Sequence, residues 1–191
     1  MIFIQPEFLT CCQRSQMAES HKEVCMFELK YCPQCGTPLT EKYLENEGNI
    51  PYCEKCGDFR FPIFSTAVSM ICMNEVRDKV LLIRQYGRPS YILVAGYVTK
   101  GEDAEDTCQR ELMEELSLTA EEIHFNRSHY FAPSNTLMLN FTVIVKESEP
   151  KPNSEIDEYH WFTVEEARKN IRPNSLAQKF LEGYFTKKYD F

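Results

Sequence analysis

The stretch Gly96–Leu118, GYVTKGEDAEDTCQRELMEELSL, constrains this chain more than any other. From about Asp103 to Leu116 it reads as a helix. Ala104, Cys108, Leu112 and Leu116 recur at every fourth residue and form one apolar stripe for a core. Residues i, i+3 and i+4 share a helix face, so Glu111, Glu114 and Glu115 project together. Three carboxylates that close repel one another and cost stability unless a cation sits on them. A hard divalent ion such as Mg²⁺ prefers carboxylate oxygens and bridges to substrate phosphates. A solvated acidic helix face is the plain alternative for such a charge run. Glu102 and Asp103 suit the positive end of the helix.

Around this run, strands and helices alternate. Ser65 to Met73, Lys79 to Arg84 and Tyr91 to Ala95 are strand candidates, the last running straight into the glycine. Leu137 to Lys146 is a further strand, and Pro150, Lys151 and Pro152 mark a loop. Tyr159 to Thr163 reads as a short strand and Val164 to Asn170 starts a helix. Pro173 to Lys188 carries a final amphipathic helix with Leu176, Phe180, Leu181 and Tyr184 on its apolar face. This alternation gives the α/β class, placed over residues 63–191.

Residues 27–62 have a different character. Cys32-Pro-Gln-Cys35-Gly36 and Cys53-Glu-Lys-Cys56-Gly57 are two CxxCG knuckles. Four thiolates at this spacing can close a tetrahedron around Zn²⁺. Such a closed site leaves no open position for water, so its role is structural. A pair of disulfides is the alternative. It fits poorly with nine cysteines, an odd number, and with an N-terminus, MIFIQPEFLTCC, that lacks the basic leader of a signal peptide. A reducing cytoplasm is the expected compartment. Residues 1–26 show no clear period and read as an N-terminal extension in which Met17 and Met26 could each be a start; an ordered edge segment is the alternative.

The 191 residues carry a net charge of −8, which argues against tight nonspecific binding to a phosphate backbone. The cysteine module has no basic surplus, setting Lys30, Lys42, Lys55 and Arg60 against Glu41, Glu45, Glu47, Glu54 and Asp58. Small anionic substrates remain open, because a bound metal inverts the local field. No apolar run approaches the roughly 20 residues of a membrane span.

The intervals from Gly96 through Glu102, Arg110-Glu111-Leu112 and Glu114-Glu115 to Leu118 resemble the Nudix box. The one departure is Ser117, where the pattern has Gly. Gly there would end the helix in a left-handed conformation, which costs a non-glycine residue roughly 1–2 kcal/mol; a tolerated penalty or a slightly different helix end is expected. The implied fold is a mixed sheet sandwiched between helices. A zinc ribbon directly before the box resembles the NADH pyrophosphatases, the Nudix subfamily that cleaves NAD(H). The domain that precedes the ribbon in longer members is expected to be missing. A third segment, Ser128–Met138, SHYFAPSNTLM, resembles the subfamily signature SQPWPFPxSLM. Phe131 stands at the Trp position and His129 at the Gln position, with a net loss of two prolines.

The resemblance implies Mg²⁺ or Mn²⁺ held by Glu111 and Glu115, helped by the backbone carbonyl of Ala95. Glu114 would ligate or orient water, and Glu102 with Arg110 would be a structural pair. Glu155 would supply a further metal ligand, with Glu158 its neighbouring alternative. Tyr97, His129, Tyr130, Phe131, Asn135 and Thr136 would face the substrate. The implied reaction is hydrolysis of NAD(H) to AMP and nicotinamide mononucleotide. ADP-ribose or another nucleoside diphosphate derivative is the nearest rival, and NAD-capped RNA gains no support from the acidic charge. A nucleotide-binding sensor would be expected to have lost one or more of the glutamates present here. The subfamily members are homodimers in which the signature segment can act across the interface. His21, His124 and His160 show no metal spacing and are expected to be structural.

Overall fold

A computed structural model describes residues 29–146 and 149–191. The extension expected over residues 1–26, with His21, lies outside the described residues. The cysteine module forms a small antiparallel sheet of β1 (Thr40–Leu44), β2 (Gly48–Cys53) and β3 (Asp58–Phe59), in that order.

The remaining strands are β4 (Ser65–Asn74), β5 (Lys79–Gln85), β6 (Val94–Tyr97), β7 (Ala120–Phe131), β8 (Thr136–Val145) and β9 (Ile156–Thr163). They form one mixed sheet in the order β7-β8-β4-β5-β9, with β6 also paired to β4. Strand β4 is its axis. It runs parallel to β8 from Ser65–Thr136 to Asn74–Val145. Its other edge is shared, antiparallel, by β6 against Ala67–Met70 and by β5 against Cys72 and Met73. Because β6 stops after Tyr97, the chain is free to cross the sheet as α1 (Ala104–Leu116).

Alternation along β4 divides the core. Val68, Met70 and Cys72 pack with Cys108, Leu112 and Leu116 of α1. Ile71 and Met73 pack on the other face with Ala167, Ile171, Phe180 and Leu181, carried by α2 (Val164–Asn170), its C-terminal boundary and α3 (Leu176–Thr186). Burial on both faces explains why β4 is a near-continuous apolar run. The expected sheet between helices is therefore present.

Some elements differ from the sequence reading. β7 had no strand signal, since its outward positions are exposed and its period breaks at two register shifts, Ala120/Glu122 and Phe125/Arg127. β9 begins at Ile156, three residues before the expected start. Tyr91 and Ile92 make only isolated bridges, to Ile171 and Ile83, so the strand before the glycine starts at Val94. α3 starts after Ser175, whose side chain accepts from the Gln178 amide at 3.1 Å.

The end of α1 is a junction between the helix and the segment leading into β9. Ser117 is left-handed (φ 55°), its N–H donates to the Met113 carbonyl, and the Leu118 N–H reaches Leu112. The incoming segment then satisfies two more helix carbonyls: Lys151 N–H donates to Leu116 at 2.8 Å and Asn153 N–H to Glu115 at 2.9 Å. Replacing Ser117 with Gly removes the left-handed penalty and loses only a 3.3 Å contact from the hydroxyl to the Lys151 carbonyl. Ser117→Gly is expected to add about 1 kcal/mol, raising the melting temperature by about 2–4 °C in scanning calorimetry. An unchanged or lower melting temperature would contradict this.

Candidate active site

Arg110 organises the cleft between β6 and α1. Its Nε and Nη2 donate to the two oxygens of Glu102 at 2.7 and 3.1 Å. Nη2 also reaches the Tyr97 carbonyl at 3.0 Å, while Nη1 donates to Glu111 at 2.7 Å and Glu114 at 3.1 Å. The guanidinium first, with Thr99 second, brings the Glu102 carboxyl down to about 2. Thr107 adds a hydroxyl to Glu102 at 3.0 Å. The expected structural pair is thus a bidentate clamp that ties the loop before α1 to the helix. Gly96 completes the seat: a Cβ there would fall 2.0 Å from Glu111 Cδ, so the Glu111 carboxylate lies directly on the β6 backbone.

The three helix glutamates do not behave alike. Glu114 is largely exposed, and its ion-pair partner is Arg110. Glu111 is mostly buried, and burial raises its carboxyl despite the opposing pull of Arg110. Glu115 is only 6% exposed, and its Oε2 is buried with no hydrogen-bond partner. Burial first, then Glu111, Glu155 and Glu114, pushes its carboxyl up to about 8. A buried carboxylate oxygen without a partner, close to other acids, is a costly arrangement that a divalent cation resolves. The donor set therefore fits a hard metal. Ala95 lies in β6 beside Gly96, opposite Ser69 of β4.

Glu155 reaches the cleft because the Lys151 and Asn153 amides dock on the end of α1, and Asn153 Oδ1 accepts the Glu155 amide at 2.9 Å. The Tyr86 hydroxyl donates to Glu155 Oε2 at 2.5 Å. Glu155 chiefly, then burial, pushes that phenol up to about 12, so it stays a donor at neutral pH. Glu158, the neighbouring alternative ligand, is instead engaged by the Arg84 guanidinium and the Tyr91 hydroxyl. Tyr86, Arg84, Tyr91 and Asn153 carry no motif spacing.

Tyr97 lines an open cleft of about 520 Å³ with Phe64, Ser65, Thr66, Val98, Thr99 and Lys100. The segment 128–138 is not a free loop. Ser128–Phe131 ends β7, Ala132–Ser134 is a 3-10 turn, and Thr136 opens β8. Strand alternation then sends neighbours to opposite faces. Tyr130 meets Phe64 edge-on at 6.3 Å and donates to Asn135 Oδ1 at 2.7 Å, while Asn135 Nδ2 reaches the Ile63 carbonyl at 3.0 Å. His129 stacks on Phe191 at 4.1 Å, and Phe131, two residues on, follows its side of the strand. Thr136 is buried with its hydroxyl bound to Ser134. Of these expected contacts, Tyr130 and Asn135 are thus brought together beside the Phe64 end of the cleft. His129 has one ring face covered, and Thr136 is closed off.

In the ribbon, Cys32, Cys35, Cys53 and Cys56 place their sulfurs within 4.8 Å of one another. Two of the separations are 3.9 and 3.5 Å. A zinc tetrahedron with bonds of about 2.3 Å has edges of about 3.8 Å, so the set fits. Burial opposes thiolate formation at Cys32, but the Arg60 guanidinium, 3.3 Å from the sulfur, and nearby amides outweigh it and bring it down to about 6. Cys56 is pushed up to about 12, chiefly by its contact with Cys35 and by burial. Among the described residues, no three of the glutamates gather their oxygens this closely.

Comparison with known proteins bears on the same residues. The NUDIX domain family matches residues 64–182. The NAD-capped RNA hydrolase NudC of Pseudomonas fluorescens is 29% identical over 164 residues, covering 84% of this chain and 58% of that protein. The NAD-capped RNA hydrolase NudC of Vibrio cholerae is 26% identical over 155 residues, covering 81% and 56%. The chain thus spans less than two thirds of the length of these curated relatives. A NUDIX hydrolase structure from Nitrosomonas europaea superimposes with a TM-score of 0.59 at 21% identity, covering 85% of this chain and 96% of that one, a likeness of fold.

The chemistry of the two donor sets is open to direct measurement. Between the ordinary carboxyl value of 4.5 and about 8, folded Glu115 keeps a proton that the unfolded chain has released. Stability in Mg²⁺-free buffer therefore falls as pH rises through that window. Glu115→Gln should flatten the slope and raise the melting temperature at pH 8 by about 2–4 °C per kcal/mol relieved; an unaltered slope would contradict the assignment. The purified protein should carry one zinc per chain by plasma mass spectrometry. Cys53→Ser should lose most of it, and a zinc-free wild type would refute the ribbon.

Proposed function

The chain belongs to the NUDIX domain family, and on that premise we propose that it hydrolyses a nucleotide pyrophosphate bond in a divalent-metal-dependent reaction. The first substrate is NAD(H), giving AMP and nicotinamide mononucleotide. One observation carries this reading. The buried, unpartnered Glu115 Oε2 stands near Glu111 and Glu155 on a helix clamped by Arg110. Glu111, Glu115 and Glu155, with the Ala95 carbonyl, would hold Mg²⁺ or Mn²⁺. Such an ion neutralises phosphate charge and activates a water. Arg110 keeps the carboxylates in place, and Glu114, exposed at the edge of the set, ligates or orients water. Tyr97 supplies an aromatic ring, and Lys100 a positive charge, to the open cleft they line with Phe64, Ser65 and Thr66. The ribbon cysteines hold a structural Zn²⁺.

The relatives named for NAD-capped RNA make that substrate a candidate here as well, although the net charge of −8 offers it no electrostatic help. We place the protein in the cytoplasm as a homodimer, with the hairpin around Tyr130 and Asn135 contributing to recognition. ADP-ribose is the second reading, favoured by the altered hairpin, where Phe131 and His129 replace the subfamily's Trp and Gln. A binding protein without turnover is disfavoured by the intact Glu111, Glu114 and Glu115.

NADH incubated with the enzyme and Mg²⁺ should release AMP and the mononucleotide, read by HPLC. Glu115→Gln should lower kcat about 100-fold, some 2.7 kcal/mol of barrier, while keeping fold and zinc. If NADH stays intact but ADP-ribose is cleaved, the second reading replaces the first. If neither these nor dinucleoside polyphosphates are cleaved, the hydrolase reading falls.

A further inference from the structure

The turn after β5 is built in an unfavourable way. The Arg88 N–H closes it onto the Gln85 carbonyl at 3.2 Å, and its central residues Tyr86 (φ 57°) and Gly87 (φ 66°) are both left-handed. This is the pattern of a type I′ turn, which favours Asn before Gly. A tyrosine there meets the steric penalty of the left-handed region. Burial does not repay it, because Tyr86 is 61% exposed. What the tyrosine gains is the hydrogen bond from its hydroxyl to Glu155. Strain of this kind persists where the surrounding structure and function hold it.

The same turn grips the Glu155 segment a second time, since the Gly87 N–H donates to Asp157 Oδ2 at 2.6 Å. From the other side, Asn153 ties the segment to Glu115 through the end of α1 and accepts the Glu155 amide. Glu155 is thus held between helix and turn, beside the acidic side chains of Glu111 and Glu115.

We propose that Tyr86 is a positioning residue that holds the Glu155 carboxylate at the glutamate cleft, ready for a divalent cation. The inference rests on the metal-dependent reading of the cleft. Partners of this kind behind a metal ligand commonly change affinity by 10–100-fold when removed.

The test is Mn²⁺ titration of the zinc-loaded protein, with free Mn²⁺ read by EPR and a melting temperature recorded for each variant. Tyr86→Phe should bind Mn²⁺ about tenfold more weakly. Glu155→Gln should weaken it at least as much, and the double variant no further than Glu155→Gln alone. Tyr86→Asn should raise the melting temperature, because Asn suits the turn, yet bind Mn²⁺ as weakly as Tyr86→Phe. A merely structural role would move stability and affinity together. If Glu155→Gln weakens binding while Tyr86→Phe matches the wild type, the role of Tyr86 is refuted and the metal reading stands. If the wild type binds no Mn²⁺, or Glu155→Gln binds it unchanged, the reading of Glu155 as a ligand fails and takes this inference with it.

Discussion

Arg110 sits where the strand that delivers the glycine, the loop behind it and the glutamate helix all meet. Its guanidinium spans Glu102, Glu111, Glu114 and the Tyr97 carbonyl. These partners lie in β6, the loop before α1 and α1 itself, so one side chain sets both the entry into α1 and the direction of its acidic face. A lysine, with its compact charge and no planar fork, could not span these partners at once. That contact holds the Glu102 carboxyl well below its ordinary value, and Glu111 keeps one oxygen against the guanidinium. The burial of Glu115 lies one helical turn further on, in a position the clamp makes rigid but does not neutralise.

That residual cost is informative. Most buried polar atoms in folded proteins are hydrogen-bonded, and those that are not call for an explanation. Here the neighbours of the orphan oxygen are also acids, so the protein keeps an arrangement that disfavours its own ionised form. The strained Tyr86 turn is a second local cost beside the same cleft. Costs that converge on one cleft are expected where stability is traded for a site that must receive something.

Much of this was legible in the residues. The apolar stripe of α1 and the cysteine knuckles are local patterns, and each appears where the spacing puts it; the Glu102–Arg110 pair, which only the family resemblance implied, is present too. At Ser117, where the family pattern has Gly, the structure takes the left-handed end rather than a different one. The division among Glu111, Glu114 and Glu115 was not legible, because burial depends on what the sheet presents opposite each. Nor was β7, an exposed edge strand whose shifts erase its period, and with it the facing of His129, Tyr130 and Thr136. Glu155 could be named from its segment, but its holder Tyr86 lies far away in sequence and is brought there only by the pairing of β5 with β9.

The ribbon and the cleft thus present two contrasting donor sets, four soft thiols gathered tightly and hard carboxylates positioned by Arg110 and Tyr86. The central claim is that the second set receives a divalent cation on Glu115. Anomalous diffraction from crystals soaked in Mn²⁺ tests this most directly. The account predicts a manganese peak bonded to Glu115 Oε2 and shared with Glu111, distinct from any zinc peak among the cysteines. A well-ordered cleft with no manganese peak, or manganese bound only elsewhere on the surface, would contradict it.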